Sequence, residues 1–390
     1  MKNETRANWK LNTRLNHPKR ISPIEGNPPL LAPIYHSVKF VVAEGTPYWD
    51  QFIYGRVSNP TVRQLELLLA DLQNKEDCIV LSSGIAAITG TLLGLLKSGD
   101  HVITFRELYK PARIFMRDML PRFGIETSVL KLNQLNDLEK TIIPGKTKLI
   151  HFESPTNPNL DIADIQKIIE IAHKHQVLVT MDGTFAGLHQ HTNFDIDLMI
   201  HSLTKFANGH GDVLAGSIAG KKSLIQQIRQ MTITLGATLD PQAASLIERG
   251  LKTYQLRFDR HVQNAGKVAD FLNQHPQIQK VFYPGLATHK GHELAKKQMS
   301  DMGAVVSFVL APSLGLNGDQ FAHKLKLIQF AVSLGATESI ICPTHIFFGD
   351  DLNPTDKEEM GISPNSLRLS VGLEDVDDLI EDLQQALSPS

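Results

Sequence analysis

The sequence predicts an α/β fold with a mostly parallel sheet, followed by a smaller C-terminal α+β domain. Short apolar runs alternate with helix-like segments up to about Gly250, and a long helical region with two further strand-like runs follows. The 390 residues also exceed the usual size of a single compact core. We therefore divide the chain into an extended N-terminal arm (1–55), a large α/β domain (56–250) and a C-terminal α+β domain (251–390).

The arm is predicted from its lack of regular periodicity and from its prolines, which interrupt regular structure. These are Pro18, Pro23, Pro28, Pro29, Pro33 and Pro47. We expect an arm of this kind to wrap a neighbouring subunit. The first helix is predicted to begin at Asn59-Pro60, because proline is favoured at the first helical position. The apolar residues of its buried face are Val62, Leu65, Leu69 and Leu72.

The parallel sheet is predicted from five short apolar runs. They occupy residues 79–81, 102–105, 149–152, 177–181 and 198–200. Helical segments such as 84–96 and 162–173 separate several of them. Strands that alternate with helices form parallel sheets that are covered on both faces.

The C-terminal domain is predicted from a change of pattern. Residues 304–310 and 366–373 are its candidate strands, and a final helix follows them. One side of this helix carries Val376, Leu379, Ile380 and Leu383.

Composition excludes several classes of function. The net charge is -2 and the Lys and Arg residues are dispersed, so we expect no nucleic-acid or anionic-membrane partner. No run approaches the roughly 18 apolar residues of a membrane span, and residues 1–20 contain no secretion signal, so we expect a cytoplasmic protein. Cys78 and Cys342 are the only cysteines, which argues against a disulfide framework or a zinc site. The expected partner is a small molecule.

The run from His201 to Lys205 carries the strongest chemical signal, because it directly follows the strand-like run 198–200. A lysine at the mouth of a sheet can form a Schiff base with an aldehyde. Ser202 and Thr204 can bind a phosphate beside it. The pattern indicates a phosphorylated aldehyde cofactor, although a surface lysine after a buried strand is an equally common origin of so short a motif.

Asp182 strengthens this interpretation because it ends the predicted strand 177–181. Ligands of open α/β sheets bind outside the carboxyl ends of the strands. A carboxylate there can keep the nitrogen of a pyridine ring protonated, so that the ring draws electrons from the substrate. By itself, an aspartate at a strand end is more often a helix cap or a turn residue.

Two further segments fit the same cofactor. Gly84 and Ile85 lie at a strand-to-helix turn, where free N–H groups and the helix dipole can bind an anion, although a tight turn alone also requires glycine. Asn157 lies in the loop 153–159, which two X-Pro steps stiffen, and its amide can bond a phenolic oxygen.

Seven segments together resemble signatures of the Cys/Met-metabolism, or trans-sulfuration, family of pyridoxal-phosphate enzymes. They are residues 54–61, 82–88, 153–159, 201–205, 283–286, 333–335 and 367–372. They occur in the order of the family and spread over about 35–383, so the resemblance is specific. It is to enzymes of the cystathionine γ-synthase, cystathionine γ-lyase and methionine γ-lyase type. The resemblance implies the fold type I, aspartate-aminotransferase-like architecture.

The resemblance also implies how the cofactor is held. Lys205 would carry pyridoxal 5'-phosphate as a covalent aldimine and would shuttle protons. Asp182 would pair with the pyridine nitrogen, and Asn157 would contact the ring oxygen. The phosphate would be bound by Ser202, Thr204, Gly84 and Ile85.

The remaining roles concern the substrate and the neighbouring subunit. Tyr109 would stack on the ring and assist proton transfer to the leaving group; the alternative is an aromatic core residue. Arg368 would bind the substrate carboxylate through its planar fork, with Ser333 on the other side, whereas an isolated strand arginine is more often a paired or solvated charge. Tyr54 and Arg56 would reach the phosphate of a neighbouring subunit, with Tyr54 also near the substrate. We therefore expect a homotetramer of dimers with shared sites.

Three segments depart from the family pattern. Asp-Gly-Thr-Phe at 182–185 replaces Asp-Asn-Thr-Phe, and His289-Lys290 replaces His-Pro. Thr-His-Ile-Phe at 344–347 replaces a Met-Thr-His tail. These changes leave the core machinery intact and bear on the shape of the pocket.

The sequence signals for the subtype point in two directions. Ile53 and Val332 are apolar where relatives that handle cystathionine often carry acidic residues, which resembles methionine γ-lyases and sulfhydrylases. Pro111 stands where methionine γ-lyases commonly have a cysteine, and the segment 109–115 resembles cystathionine γ-synthases.

We predict elimination or replacement at the γ-carbon of sulfur amino acids, with a cystathionine or methionine γ-lyase favoured. Such a lyase gives 2-oxobutanoate, ammonia and a thiol. Cystathionine γ-synthase or O-acylhomoserine sulfhydrylase is the alternative. A nucleotide-binding oxidoreductase is disfavoured because the chain has no early GxGxxG fingerprint. An inactive binding protein would be expected to lose Lys205, Tyr109 or Arg368, and all three are present.

Overall fold

The computed structural model describes residues 9–18, 29–42, 44–45 and 52–388. Its strands, in chain order, are β1 (Asp77–Leu81), β2 (His101–Phe105), β3 (Glu126–Leu130), β4 (Thr147–Glu153), β5 (Leu178–Asp182), β6 (Leu198–Ser202), β7 (Gly216–Gly220), β8 (Ile278–Phe282), β9 (Val305–Leu310), β10 (Gln329–Phe330), β11 (Ile340–Pro343) and β12 (Ser366–Ser370).

Fourteen α-helical segments are assigned in the same residues. They are α1 (Leu11–Asn16), α2 (Pro60–Leu72), α3 (Gly84–Leu95), α4 (Lys110–Ile114), α5 (Leu138–Thr141), α6 (Ile165–Lys174), α7 (Lys222–Leu235), α8 (Pro241–Leu251), α9 (Tyr254–Gln274), α10 (His292–Gln298), α11 (Gly318–Lys324), α12 (Thr344–Phe347), α13 (Pro354–Glu359) and α14 (Val376–Leu387). Within the described ranges, no helix is long and apolar enough to cross a membrane.

The chain divides into two compact units. The first combines Met1–Leu96 with Ile196–Gln255, and the second combines Lys97–Asp195 with Leu256–Ser390. The predicted arm, large domain and C-terminal domain were defined by sequence pattern, and their boundaries stay predictions.

The first unit is built around β7, which pairs antiparallel with both β1 and β6. Helix α3 packs against β6, β7 and α7. A side chain at Gly216 would bring a Cβ atom within 2.3 Å of the Ser83 carbonyl oxygen, so β7 can approach the turn before α3 only with glycine at this position. This close approach fixes the start of α3 beside the end of β6.

The second unit contains a parallel group of four strands. β2 pairs with β3 and β4, and β4 pairs with β5, all in parallel. The register aligns Glu153 at the end of β4 with Asp182 at the end of β5. Since parallel strands place their carboxyl ends at one edge, these two acidic residues are neighbours.

A second sheet in the same unit has the order β10-β11-β12-β9-β8. Only β10 and β11 pair in parallel, and the other neighbours are antiparallel. Arg368 lies in the middle of the central strand β12, where it is aligned with Cys342 on one side and Ser307 on the other. The backbone around Arg368 is therefore held from both sides.

The predicted strands and helices are confirmed. Each of the five apolar runs of the large domain lies within or overlaps one of the strands β1, β2, β4, β5 and β6, and helix α2 begins at Pro60 as expected. Asn59 caps this helix by accepting hydrogen bonds from the N–H groups of Thr61 (2.9 Å) and Val62 (3.4 Å). The two C-terminal strands and the final helix are also found, as β9, β12 and α14.

Part of the predicted arm is helical, which its sequence pattern did not indicate. Helix α1 falls inside the arm and buries Leu15 completely. Residues 1–8, 19–28, 43 and 46–51 of the arm, with Pro23, Pro28 and Pro47, lie outside the described residues.

Candidate functional site

The predicted site residues fall into two groups, one in each unit. The first unit contains Tyr54, Arg56, Gly84, Ile85, Ser202, Thr204 and Lys205. The second unit contains Tyr109, Asn157, Asp182, Ser333 and Arg368.

In the first unit, the end of β6 meets the beginning of α3. Ser83 caps α3 by accepting a hydrogen bond from the N–H group of Ala86 at 3.1 Å. A Cβ atom at Gly84 would lie 2.8 Å from the Cβ atom of Ser202, so only glycine leaves room for the serine here. The first turn of a helix leaves its N–H groups without partners inside the helix, as at Gly84 and Ile85. Together with the Ser202 hydroxyl, they form a binding site suited to an anion.

The turn after β6 carries Lys205 and Thr204. The Lys205 backbone N–H donates to the Ser202 carbonyl at 3.2 Å, and the side chain is half-buried. The Thr204 hydroxyl oxygen accepts from the N–H of Ala215 at 2.9 Å and donates to its carbonyl at 3.3 Å. Thr204 therefore fastens this turn to the chain before β7, a contact that the sequence did not predict. The longer bond to the carbonyl is the one that a phosphate oxygen could replace.

Tyr54 and Arg56 lie on the surface of the first unit. Tyr54 is 39 % exposed, and the Arg56 guanidinium carbon lies 5.6 Å from the centre of its ring. Arg56 also donates to the Ile233 carbonyl at 3.2 Å. Both side chains are thus accessible to a neighbouring molecule, and their predicted contact with a neighbouring subunit stays a prediction.

In the second unit, Glu153 and Asp182 form a buried pair of carboxyl groups. Glu153 is 3 % exposed and Asp182 is 7 % exposed. Burial raises the pKa of both groups, and the charge of Asp182 raises the pKa of Glu153 further. The N–H of Thr184 donates to Asp182 Oδ1 at 2.9 Å and partly opposes the shift of the Asp182 pKa. Because two adjacent buried carboxyls resist ionising together, Glu153, whose pKa is raised more strongly, retains a proton more readily than Asp182.

Tyr109 is hydrogen-bonded to this carboxyl pair through its backbone. Its backbone N–H donates to Glu153 Oε2 at 2.8 Å at the start of α4. Burial, and then the charges of Asp182 and Glu153, raise the pKa of its hydroxyl, while Arg368 acts in the opposite direction. A raised pKa keeps the hydroxyl protonated at neutral pH, so Tyr109 is suited to donate a proton.

Arg368 has the arrangement expected of a receptor for a carboxylate. It is 3 % exposed, and it donates to Asn157 Oδ1 at 3.0 Å and to the Ser333 carbonyl at 2.7 Å. Its Nε–H is buried without a hydrogen-bond partner, and it forms no salt bridge with any residue that the structure describes. A buried guanidinium whose partners are neutral requires an anion.

Asn157 and Ser333 both hold this arginine, and their predicted contacts with the cofactor and the substrate stay predictions. The Asn157 amide oxygen accepts from Arg368, so only its amide nitrogen is left to meet a cofactor oxygen. Ser333 supports Arg368 through its backbone carbonyl, with φ at 104°, a conformation that non-glycine residues rarely adopt. Strain of this kind persists where the surrounding structure fixes it, often at functional sites.

Two aromatic rings contact this group, one in the departing segment 182–185 and one directly after the departing segment 344–347. The Phe185 ring centre lies 5.8 Å from the Arg368 guanidinium carbon, and that of Phe348, just after α12, lies at 4.4 Å. Val332 is 53 % exposed beside Ser333. Glu153 and Phe348 had no predicted role. The position of Glu153 at the end of a strand could have indicated one, whereas nothing in the sequence indicates the contact of Phe348 with Arg368.

Each group has features that suit a part of pyridoxal phosphate or of its amino-acid substrate. The glycine-lined start of α3 beside Ser202 is suited to a phosphate, and a half-buried lysine follows it in the chain. The buried carboxyl of Asp182 is suited to a protonated ring nitrogen, and Arg368, with its unpartnered Nε–H, is suited to a substrate carboxylate.

Comparison with known proteins agrees with these features. The family model described as Cys/Met metabolism PLP-dependent enzyme matches residues 25–388. An L-methionine gamma-lyase of Fusobacterium nucleatum subsp. polymorphum is 41 % identical over 92 % of this chain and 93 % of its own length. The chloroplastic cystathionine gamma-synthase 1 of Nicotiana tabacum is also 41 % identical, over 86 % of this chain and 62 % of its own length.

The fold is similar as well. The crystal structure of cystathionine gamma-lyase from Lactobacillus plantarum complexed with L-serine has a TM-score of 0.91 and 33 % identity, and the match covers 98 % of this chain and 99 % of that one. This likeness confirms the predicted fold type I architecture. The chain is therefore an enzyme of the Cys/Met-metabolism family, whose members depend on pyridoxal phosphate.

Proposed function

We propose that this enzyme is a γ-lyase of sulfur amino acids, with L-methionine as its best substrate. The reaction converts methionine and water into methanethiol, 2-oxobutanoate and ammonia. The observation that carries the proposal is the group of relatives named L-methionine gamma-lyase, which are 37–41 % identical over most of the chain. The apolar residues Ile53 and Val332 support it, because the γ-substituent of methionine carries no charge.

We propose that Lys205 binds pyridoxal phosphate covalently through its amine. The Ser202 and Thr204 hydroxyls and the N–H groups of Gly84 and Ile85 bind the phosphate. The Asp182 carboxylate holds the ring nitrogen in its protonated form, and the Asn157 amide nitrogen donates to the ring oxygen. The crowded contact of Gly84 with Ser202 supports the phosphate site.

When bound, the cofactor draws electrons from the α-carbon of the substrate, which makes the protons on the α- and β-carbons removable. The Lys205 amine would accept these protons as a general base. The Tyr109 hydroxyl donates a proton to the departing sulfur. Its raised pKa supports this role because the proton is present at neutral pH.

Arg368 binds the substrate carboxylate in this proposal. A guanidinium offers two parallel N–H groups to a carboxylate, and the unpartnered Nε–H of Arg368 belongs to such an edge. The Asn157 amide oxygen accepts from Nη1 and the Ser333 carbonyl from Nη2, and each of these nitrogens carries a second N–H. The substrate is thereby fixed at its carboxylate while Tyr109 acts at the sulfur.

A γ-replacement activity is the second candidate, as in cystathionine γ-synthases or O-acylhomoserine sulfhydrylases. The tobacco relative and the segment 109–115 favour it. In that case an incoming thiol takes the place of the γ-substituent, whereas in the lyase reaction nothing replaces it and water is consumed at the α-carbon, where ammonia is released.

An assay with separate substrates tests the choice. We expect equimolar methanethiol and 2-oxobutanoate from L-methionine, measured by thiol and keto-acid detection on the cofactor-loaded enzyme. Cystathionine and cysteine are compared in parallel. Product only from an acylhomoserine plus a thiol would establish the replacement activity instead. A protein that binds the cofactor and turns over none of these substrates would be an inactive binding protein.

We further propose that Tyr54 and Arg56 complete the site of a neighbouring subunit, in a homotetramer built of dimers. Their exposure supports this arrangement. We therefore expect Arg56→Ala and Lys205→Ala, each nearly inactive alone, to regain activity when the subunits are unfolded, mixed and refolded together. Random pairing makes about half of the dimers mixed, each with one intact site, so about a quarter of the wild-type activity should return.

Each variant refolded alone is the control and should stay inactive. If Arg56 serves its own subunit, every site of a mixed dimer carries one defect. Absence of recovery, with dimers shown by light scattering, would therefore refute the shared site.

A further inference from the structure

The segment after α12 places an aromatic ring against the buried arginine of the second unit. The Phe348 ring centre lies 4.4 Å from the Arg368 guanidinium carbon, and Phe348 is only 8 % exposed. A ring that attracts a guanidinium through its π face does not use up the N–H hydrogen bonds of that guanidinium. Phe348 can therefore orient Arg368 without occupying the edge that carries the free Nε–H.

Phe348 is itself held by a second buried arginine. Arg113 donates from Nη2 to the Phe348 carbonyl at 2.7 Å. It also binds Asp351 at two points, Nη2 to Oδ1 at 2.7 Å and Nε to Oδ2 at 3.1 Å. The side chains of this pair are 8 % and 5 % exposed, so water competes little with the contact.

The same arginine is bonded to the beginning of α4. Arg113 Nη1 donates to the Leu108 carbonyl, and its backbone N–H donates to the Tyr109 carbonyl at 3.2 Å. Arg113 therefore connects the turn that carries Tyr109 with the segment that carries Phe348. Both ends of this connection lie within the second unit.

We propose that Phe348, fixed by Arg113 and Asp351, is a positioning residue that sets the orientation in which Arg368 receives the substrate carboxylate. This inference rests on the proposed function of Arg368. Phe348 touches neither substrate nor cofactor in this role. It acts by restricting the orientation of the Arg368 guanidinium plane. Because Arg113 holds both Phe348 and the turn of Tyr109, it keeps this orientation fixed relative to Tyr109.

A purely structural role is the alternative, because Phe348 also belongs to a small apolar cluster. The buried members of this cluster are Cys342, Phe348, Met360 and Ile362. Trimming Ile362 to valine removes one methylene from the cluster and leaves the ring against Arg368 in place. Ile362→Val is therefore the matched control for a loss of packing alone.

The test measures binding to the cofactor-loaded enzyme with two ligands that differ by one group. L-Alanine carries a carboxylate and ethylamine lacks it, and both are titrated by the visible absorption of the bound cofactor. For Phe348→Leu we expect about tenfold weaker binding of L-alanine and unchanged binding of ethylamine, since only the binding of the carboxylate by Arg368 is weakened. With the best substrate, KM should rise about tenfold while kcat stays within about twofold.

Three further variants complete the test. Phe348→Tyr keeps the ring and should behave as wild type. Asp351→Asn should weaken the binding of L-alanine about threefold, because it weakens only the contact with Arg113 that holds Phe348. If Phe348→Leu does not fold, Phe348→Met is measured instead, because methionine has about the volume of leucine. Equal weakening of both ligands, no change in L-alanine binding, or the same effect from Ile362→Val would overturn the inference.

The titrations also separate an error in the proposed function from an error in the role of Phe348. The alanine and ethylamine titrations need a bound cofactor but no turnover. A wild-type protein that takes up no pyridoxal phosphate would refute the proposed function, whereas a normal wild-type titration with an unaltered Phe348→Leu would refute only the role of Phe348.

Discussion

Replacing Lys205 by alanine should lower turnover by at least about 10³-fold, because the variant loses both the covalent attachment of the cofactor and the group that moves protons. The position of Lys205 supports this expectation. Its side chain is half-buried in the turn directly after β6, and its backbone is fixed by a hydrogen bond to Ser202. No other residue has been assigned either task, so a second lysine is not expected to compensate.

The measurement has a readout that does not depend on activity. Borohydride reduction of the wild-type protein should fix the cofactor on the peptide that contains Lys205, as seen by mass spectrometry, and should remove the visible absorption. The same treatment should leave the Lys205→Ala peptide unlabelled. Lys97→Ala is the matched control, since Lys97 is exposed on the surface, and should label and turn over as wild type. Substantial activity or labelling at another lysine in Lys205→Ala would refute the assignment.

The residues found from sequence share one property, which is that their position follows from local pattern. Lys205 and Asp182 come directly after apolar runs, and Gly84 comes at a turn between a strand and a helix. The chemistry of open α/β sheets lies at such strand ends, so a correct strand prediction was enough to select them as candidates. The family resemblance then supplied the predicted role of each residue.

The residues that sequence reasoning missed depend on contacts between distant parts of the chain. Phe348 meets Arg368 only because α12 and β12 are brought together, and Arg113 lies 238 positions before Asp351. Neither a helical nor a strand periodicity encodes such a pairing. Glu153 is an intermediate case, because its strand was predicted but the register that aligns it with Asp182 was not.

Strand β7 shows a similar limit for the fold. Its sequence, Gly-Ser-Ile-Ala-Gly at 216–220, contains little of the β-branched and aromatic content that marks a strand. Glycine is required there because β7 passes close to the turn before α3. The same close approach that helps to shape the anion site therefore removes the pattern from which the strand could have been predicted.

Replacing Asp182 by asparagine should reduce kcat by about 10²–10³-fold while the cofactor still attaches to Lys205. Asparagine keeps the shape of the side chain and an acceptor for the Thr184 N–H, but it removes the negative charge. A neutral partner does not hold the ring nitrogen protonated, so the cofactor draws electrons less strongly. Borohydride labelling should stay normal, and the pH dependence of the visible absorption should change.

Glu153→Gln is the matched control, because it alters the adjacent buried carboxyl by the same isosteric change. Burial and the charge of Asp182 raise the pKa of Glu153 and so favour its protonated form, which glutamine imitates. Its amide oxygen can still accept from the Tyr109 N–H. We therefore expect kcat within a few-fold of wild type and an unchanged absorption profile.

The comparison of the two variants decides which carboxyl serves the cofactor. If Asp182→Asn is active and Glu153→Gln is not, the charge resides on Glu153 and the assigned roles are exchanged. If both variants lose activity to the same extent, the two groups act as one coupled pair that shares a proton. Only a large loss confined to Asp182→Asn, with labelling at Lys205 retained, agrees with a buried anion opposite the ring nitrogen and a neutral neighbour that supports Tyr109.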